Sequence, residues 1–334
     1  MKRKYRVYAL LIVMIMIAGL VAGCGQKEQP SNADANANAN TQVKRVSLAT
    51  GGTAGTYYPI GAAITAVITK YVPGVEATAE STGASVANLK MIQEKNVDFI
   101  MSASNTALGG FQGEDPFEKP ISNIRGITAL YPETFQFIVL DKSNLKTLTD
   151  LKGKKVAVGA AGSGTERTAK ILLEAHGLTY NDIKPEFLNF GEAVTALKDR
   201  LIDCAIVGSG IPTAAVVDAS ATLDIDLLTV DEAITKDILK EITYLQFVTI
   251  PEGTYKGVDR DILTVASPAL LITHEEMDEN TVYEITKAIF TNLPEVQSAH
   301  ALGKNITLEN ALNGMSLPLH PGAEKFYKEK GIIK

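Results

Sequence analysis

The stretch Thr50-Gly51-Gly52-Thr53-Ala54-Gly55-Thr56-Tyr57-Tyr58-Pro59 constrains this chain most. It joins an extended run ending at Ala49 to a helical run starting near Pro59. Its glycines permit backbone turns that side-chained residues resist, and the first-turn N–H groups of the helix have no internal acceptor. Such a loop favours an anion. A second unit of the same kind passes from Val156-Ala157-Val158 through Gly159-Ala160-Ala161-Gly162-Ser163-Gly164-Thr165-Glu166 into a helix carrying Ile171, Leu172 and Ala175, with Gly177 as its stop. Two strand, loop and helix units predict two lobes that present polar helix starts to one cleft.

The N-terminus reads as a targeting segment. Lys2, Arg3, Lys4 and Arg6 precede an uncharged, mostly apolar run from Val7 to Gly23, and small residues precede Cys24. Leu20-Val21-Ala22-Gly23-Cys24 resembles a bacterial lipobox, which implies removal of residues 1–23 and lipid attachment to Cys24. The polar stretch 24–42, with its Ala-Asn repeats, reads as a disordered tether. Taking those four cations from the 32 basic residues leaves 28 against 38 acidic ones, a net charge of −10. This balance, with no tryptophan and 6% aromatics, argues against a nucleic-acid partner. Cys204 is then the one cysteine left to the fold, in an apolar run that suits a buried thiol better than a nucleophile.

At 334 residues the chain is long enough for two ordinary domains. Val43–Ala49 reads as a strand, and Ile60, Ile64, Val67, Ile68 and Tyr71 recur at helical spacing up to Pro73-Gly74. Glu76–Glu80 reads as extended, Val86, Leu89 and Ile92 as a helix, and Val97–Met101 as a buried strand opening into Ser102-Ala103-Ser104-Asn105. After Phe135–Val139 the order repeats: strand Lys155–Val158, helix Thr165–His176, extended Pro185–Leu188, helix Ala193–Asp199, strand Cys204–Val207. This β-α-β-α-β order predicts twisted, mostly parallel sheets with loops gathered at the strand C-termini. Leu263–Ala266 and Ala269–Thr273 read as two separate extended runs, and if the chain enters the second lobe near Phe135–Leu140 and returns near Val265–Ile272, two crossing strands make a hinge. Asn280–Asn292 reads as a later helix with Val282, Ile285 and Ile289 on its apolar face.

No motif for nucleotide, metal or hydrolase chemistry is complete. The loops lack G-x-x-x-x-G-K-[ST], Arg167 stands where a third glycine of G-x-G-x-x-G belongs, and Gly208-Ser209-Gly210 lacks G-x-S-x-G spacing. His176, His274, His300 and His320 are scattered and show no metal-ligand spacing. What remains is a concentration of small hydroxyl residues at expected strand ends: Thr53, Thr56, Ser81, Thr82, Ser85, Ser102, Ser104, Ser163, Thr165 and Ser209. Such residues also make ordinary turns and caps. Together they suit recognition of carboxylate oxygens by hydroxyl and backbone N–H donors. Tyr57 or Tyr58 is available to wall the site, and Tyr131 and Gln136 are secondary candidates beside the expected hinge.

Thr50 to Gly61, Glu80-Ser81-Thr82-Gly83-Ala84-Ser85, Gly159 to Glu166, Ile250 to Gly257 and Leu319 to Tyr327 together resemble the TAXI family, the solute-binding receptors of TRAP transporters. The resemblance implies a two-lobed α/β periplasmic-binding-protein fold, type II-like, with lobes at 43–137 plus 266–334 and at 138–265. It implies an extracytoplasmic, lipid-anchored receptor, monomeric and without a cofactor. Such a receptor captures glutamate, glutamine or a 2-oxoglutarate-like acid and passes it to TRAP permease subunits. By position it implicates Gly52, Thr53, Gly55, Thr56, Tyr57, Thr82 and Ser85 from one side and Gly162, Ser163, Gly164 and Thr165 from the other. Ser104, Asn105 and Ser209, at strand ends, complete the candidate set. Members of the family often carry a Gln-Ser-Asp-like triplet where this chain has Ala103-Ser104-Asn105, which tilts the expectation toward a carboxylate lacking an amine. The rival readings are a secreted enzyme using Ser209 or Glu166, and a surface lipoprotein with no ligand.

Overall fold

The computed structural model describes residues 43–242 and 244–334; the lipobox, Cys24 and the tether lie outside the described residues. Strands β1 (Lys44–Ala49), β2 (Val75–Glu80) and β3 (Phe99–Ala103) are parallel. Helices α1 (Tyr57–Tyr71) and α2 (Ser85–Gln93) connect them, and α3 (Ser104–Gln112) follows β3. In the second half, β5 (Lys155–Ala157), β6 (Lys184–Glu186) and β7 (Cys204–Ser209) are parallel, linked by α4 (Gly164–Ala175) and α5 (Phe190–Lys198). The two halves share two long strands, β4 (Ile124–Leu140) and β10 (Ile262–His274), giving the order β2-β1-β3-β10-β4-β7-β5-β6. β8 (Ile225–Leu228) joins β4, and β9 (Gln246–Ile250) joins β10. The remaining helices are α6 (Ala214–Thr222), α7 (Glu232–Glu241), α8 (Glu279–Thr291), α9 (Leu293–Gln297) and α10 (Pro321–Glu329).

Periodicity explains the packing. Ile60, Ile64, Val67 and Ile68 put one stripe of α1 against the sheet, where they meet Val282, Ile285 and Ile289 of α8 and Phe326 and Tyr327 of α10. Each such fully buried aliphatic side chain contributes about 1.5–3 kcal/mol of transfer free energy. The helix stops at Val72, which turns extended at φ −106° and ψ 103° because the following Pro73 disfavours helical backbone there. Val86, Leu89 and Ile92 of α2 cover the opposite face of the same half-sheet. The second half is built likewise, with Leu172 and Leu173 of α4 on one face and Val194 and Leu197 of α5 on the other.

Three expectations change. Ser104 and Asn105 do not sit in a loop after β3 but open α3 directly, which the three small residues in Ala107-Leu108-Gly109-Gly110 had concealed. Leu263–Ala266 and Ala269–Thr273 are one strand, not two, because Pro268 interrupts the pattern without ending the pairing. Nor do Gly51, Gly52 and Gly55 adopt left-handed backbone. Gly55 serves by lacking a side chain: a Cβ there would lie 3.2 Å from Phe190 Cε2.

Candidate functional site

The two glycine loops face one another across a cavity of about 270 Å³. From the first half it is lined by Gly51 through Tyr57 and by Ser81 through Ser85. Glu133 of β4 forms part of the wall. From the second half come Ala160, Ser163, Gly164, Thr165, Asn189, Phe190, Gly191, Gly208 and Ser209. The structure therefore gathers Gly52, Thr53, Gly55, Thr56, Tyr57, Thr82, Ser85, Ser163, Gly164, Thr165 and Ser209 of the sequence candidates around one space. It leaves three outside the lining. Ser104 donates to the Gly314 carbonyl at 2.7 Å, and Asn105 donates from Nδ2 to Thr168 Oγ1 at 2.6 Å. Gly162, at φ 73°, turns its carbonyl onto the amides of Val86 and Ala87 at 3.1 and 3.3 Å.

That last contact gives the helix starts different roles. At α2 the Gly162 carbonyl from the opposite loop satisfies two first-turn N–H groups, so this end is used to hold the halves together. Ala84, just before it, is held at φ 67° and ψ −148°, backbone that only glycine adopts without strain. At α4, Ser163 Oγ accepts from Glu166 N at 3.1 Å, while the amides of Gly164 and Thr165 meet no protein acceptor among the described residues. The same holds for Tyr57 at the start of α1 and for Phe190 and Gly191 at the start of α5, where Asn189 caps through Glu192 N. Three helix starts thus bring free N–H groups to residues of the wall, a positive potential made without a cation. No lysine, arginine or histidine lines the cavity.

Several bonds join the halves around this space. Ser209 Oγ accepts from Thr56 N at 3.2 Å and lies 3.0 Å from Thr56 Oγ1. Ala215 N donates to the Ala54 carbonyl at 3.3 Å. Arg167, the residue that spoils the nucleotide-loop pattern, reaches Glu114 Oε2 at 2.6 Å and the Asp115 carbonyl at 3.0 Å. Gly164 is packed so closely that a Cβ would stand 2.7 Å from Ser85 Oγ and 3.2 Å from Ala103 Cβ.

Sequence reasoning did not pick out Asn88, Phe190 or Glu133. Asn88 is fully buried, and its Nδ2 donates to the carbonyls of Thr50 at 2.6 Å and Met101 at 2.8 Å, pinning the first loop to α2 and β3. Its signal was an amide beside the apolar stripe Val86, Leu89, Ile92. Asn88→Ala removes these buried amide bonds, leaving the Thr50 carbonyl only its Thr82 partner, and is expected to lower the unfolding free energy by about 2 kcal/mol in urea titration; no loss would mean the loop is held otherwise. Thr82 completes this brace, with Oγ1 at 3.0 Å from the Thr50 carbonyl and 2.6 Å from Asn88 Oδ1. Phe190 closes one side over Gly55. Of the two tyrosines, Tyr57 lines the cavity and Tyr58 does not. Tyr131 is buried off the wall, and Gln136 lies in a network with Thr213 and Tyr255.

Glu133 is 7% exposed, and Tyr57 OH donates to its Oε2 at 3.1 Å. Burial pushes its carboxyl up from the usual range to about 8, with the Tyr57 bond opposing in part. Tyr57 and Tyr131 are themselves pushed well up, by burial first and by Glu133 second. At neutral pH the wall therefore presents a neutral carboxylic acid. Glu166, the acid of the enzyme reading, accepts from Tyr180 OH at 2.8 Å and does not line the cavity. Ser209 has no histidine beside it in the lining to act as a base.

The fold has solved counterparts. PhnD1 from Prochlorococcus marinus, solved in complex with methylphosphonate, aligns with a TM-score of 0.52 over 87% of this chain and 99% of its own, at 11% identity. A putative L-cystine ABC transporter protein from Listeria monocytogenes aligns at 0.48 over 79% and 95%, with 15% identity. The periplasmic aliphatic sulphonate binding protein SsuA from Escherichia coli aligns at 0.44 over 85% and 83%, also at 15% identity. The architecture is the two-lobed α/β periplasmic-binding-protein fold. The sequence profile of the NMT1-like family matches residues 48–331, which is most of the chain, and the protein belongs to that family.

Proposed function

We propose that the protein is an extracytoplasmic solute-binding receptor that captures a small carboxylate and performs no chemistry on it. The observation that carries this reading is the cavity between the two glycine loops, walled by free helix-start amides and hydroxyls and containing no cation. Its volume, about 270 Å³, lies at the small end for ligand pockets and suits a compact acid. The fold supports the class of function: PhnD1, the aligned protein with the best superposition quoted above, holds a small phosphonate anion.

Delivery to a TRAP-type permease and anchoring through Cys24 rest on the sequence resemblance at residues 50–61, 159–166, 250–257 and 319–327 and on the lipobox. The named structural relative from Listeria is of ABC type, so the permease class is decided by uptake energetics. Transport of the solute that persists without ATP and collapses with the ion gradient supports TRAP coupling; strict dependence on ATP overturns it. For the moving parts, we propose bending at 137/138 in β4 and 265/266 in β10. Pro132 and Pro268 face each other in the pairing of those strands, where neither supplies an N–H to the ladder, and the register shifts immediately after Pro268.

Thr56→Val removes the hydroxyl that bonds Ser209 across the cleft, and Ser163→Ala removes the α4 cap from the facing loop. Each is expected to weaken binding of the solute by about tenfold, with the fold kept, since each deletes hydrogen bonding worth about 1–1.5 kcal/mol. Calorimetric titration checks this, and unchanged affinity in both moves the site elsewhere.

A further inference from the structure

We propose that Glu133 is a ligand-contacting, specificity-determining residue that acts as a neutral acid, donating its O–H to an oxygen of the bound anion, so that the receptor captures the solute together with one proton. The inference rests on the carboxylate-receptor reading above.

The geometry comes first. Glu133 is the one acidic side chain in the wall, and it stands on β4 opposite Ser267 of β10, next to the facing prolines of the two crossing strands. Tyr57 OH occupies Oε2 as a donor, while Oε1 of this wall residue has no hydrogen-bond partner among the described residues. The neighbouring hydroxyls give it nothing: Tyr131 OH and Ser267 Oγ are buried and have no hydrogen-bond partner among the described residues. No ion pair to Glu133 occurs among the described residues, and no cation lines the cavity. An ionised Glu133 beside a bound carboxylate would place two like charges in one small, poorly solvated space, which disfavours ionisation of one of them. The shared-proton arrangement removes that repulsion and adds a charge-assisted O–H···O⁻ bond.

The titratable groups packed around it do not substitute for this role. α1 contributes Tyr57 and β4 itself Tyr131, both phenols held far above neutrality by burial. The segments of β10 and β7 beside it, Ala266-Ser267-Pro268 and Gly208-Ser209, carry no ionisable side chain. Burial pushes the carboxyl up to about 8, so at pH 7 the proton is already in place, and above about 8 binding must take one up from solvent.

The sign of the pH dependence separates this from the opposite use of the same residue. An ionised Glu133 gripping an ammonium group would release a proton on binding, and affinity would rise with pH. The neutral acid takes one up, and affinity falls.

The test is calorimetric titration of the wild-type protein and Glu133→Gln with 2-oxoglutarate, L-glutamate and succinate from about pH 6.5 to about 9.5, in buffers of different ionisation enthalpy. For the acid that binds, wild-type affinity is expected to drop by about 20-fold between pH 7.5 and 9.5, with net proton uptake above pH 8. Glu133→Gln keeps a donor that cannot ionise, so it should bind several-fold more weakly and show no pH dependence in this range. Wild-type affinity that is flat or rises with pH, or proton release on binding, overturns the inference and leaves the receptor reading standing. Failure of every acid to bind at any pH overturns the receptor reading, and this one with it.

Discussion

Glu133→Gln should raise the unfolding free energy by about 3 kcal/mol at pH 7, and the gain should be absent near pH 4.5. The cause is the carboxyl's transfer from water, where it ionises in the ordinary range, to a wall where it titrates at about 8. Between those two pH values the unfolded chain has lost this proton and the folded chain has kept it. Folding then requires proton uptake, so rising pH removes stability through the window and costs nothing more above it. Glutamine has no proton to lose, so the difference between variant and wild type should grow from pH 4.5 to about 8 and then level off. Urea unfolding of both proteins across this range checks it; a difference that does not change with pH would mean that Glu133 loses its proton in the folded protein as readily as in the unfolded chain. A residue that destabilises its own fold at neutral pH and lines the cavity is more readily explained by binding than by packing.

Gly164→Val is expected to weaken solute binding by about 10- to 100-fold with little change in the stability of the empty protein. The atoms a side chain would meet at Gly164, Ser85 Oγ, Thr106 Oγ1 and Ala103 Cβ, all belong to the opposite half. Overpacking there is relieved by separating the halves, not by distorting either core. Separation breaks the Gly162 carbonyl bonds to Val86 and Ala87 and the Thr56 to Ser209 contact. Small-angle scattering should show a larger radius of gyration for the variant under conditions where the wild type is compact, and equal radii with equal affinities would contradict the role given to this contact.

How much of this was legible in the sequence depended on whether a residue's role is local. Helical spacing at Ile60, Ile64 and Val67 and the β-α-β order made the α/β build of both halves legible, because burial of a stripe follows from periodicity. The glycine and hydroxyl loops identified most of the cavity wall for the same reason: turns and helix starts are written in short motifs. Glu133 was missed because its significance comes from pairing across the sheet, where β4 passes beside α1 and the second loop. Asn88 was missed because its partners, Thr50 and Met101, are brought to it by two different strands. Conversely, the triplet Ala103-Ser104-Asn105 was weighed as a ligand contact on position alone. Once Ser104 is seen bonded to Gly314 and Asn105 to Thr168, its departure from the family pattern says nothing direct about an amine on the solute.

The most direct test is thermal denaturation of the wild-type protein and Gly164→Val with 2-oxoglutarate, L-glutamate and L-glutamine. At a concentration about 100 times its dissociation constant, a solute that binds only the folded state adds about 2.7 kcal/mol, a rise in Tm of about 5 °C for a chain of this size. At least one of these solutes should produce that rise in the wild type and a much smaller one in the variant. No rise with any of them, or an equal rise in both proteins, would contradict capture between the facing loops.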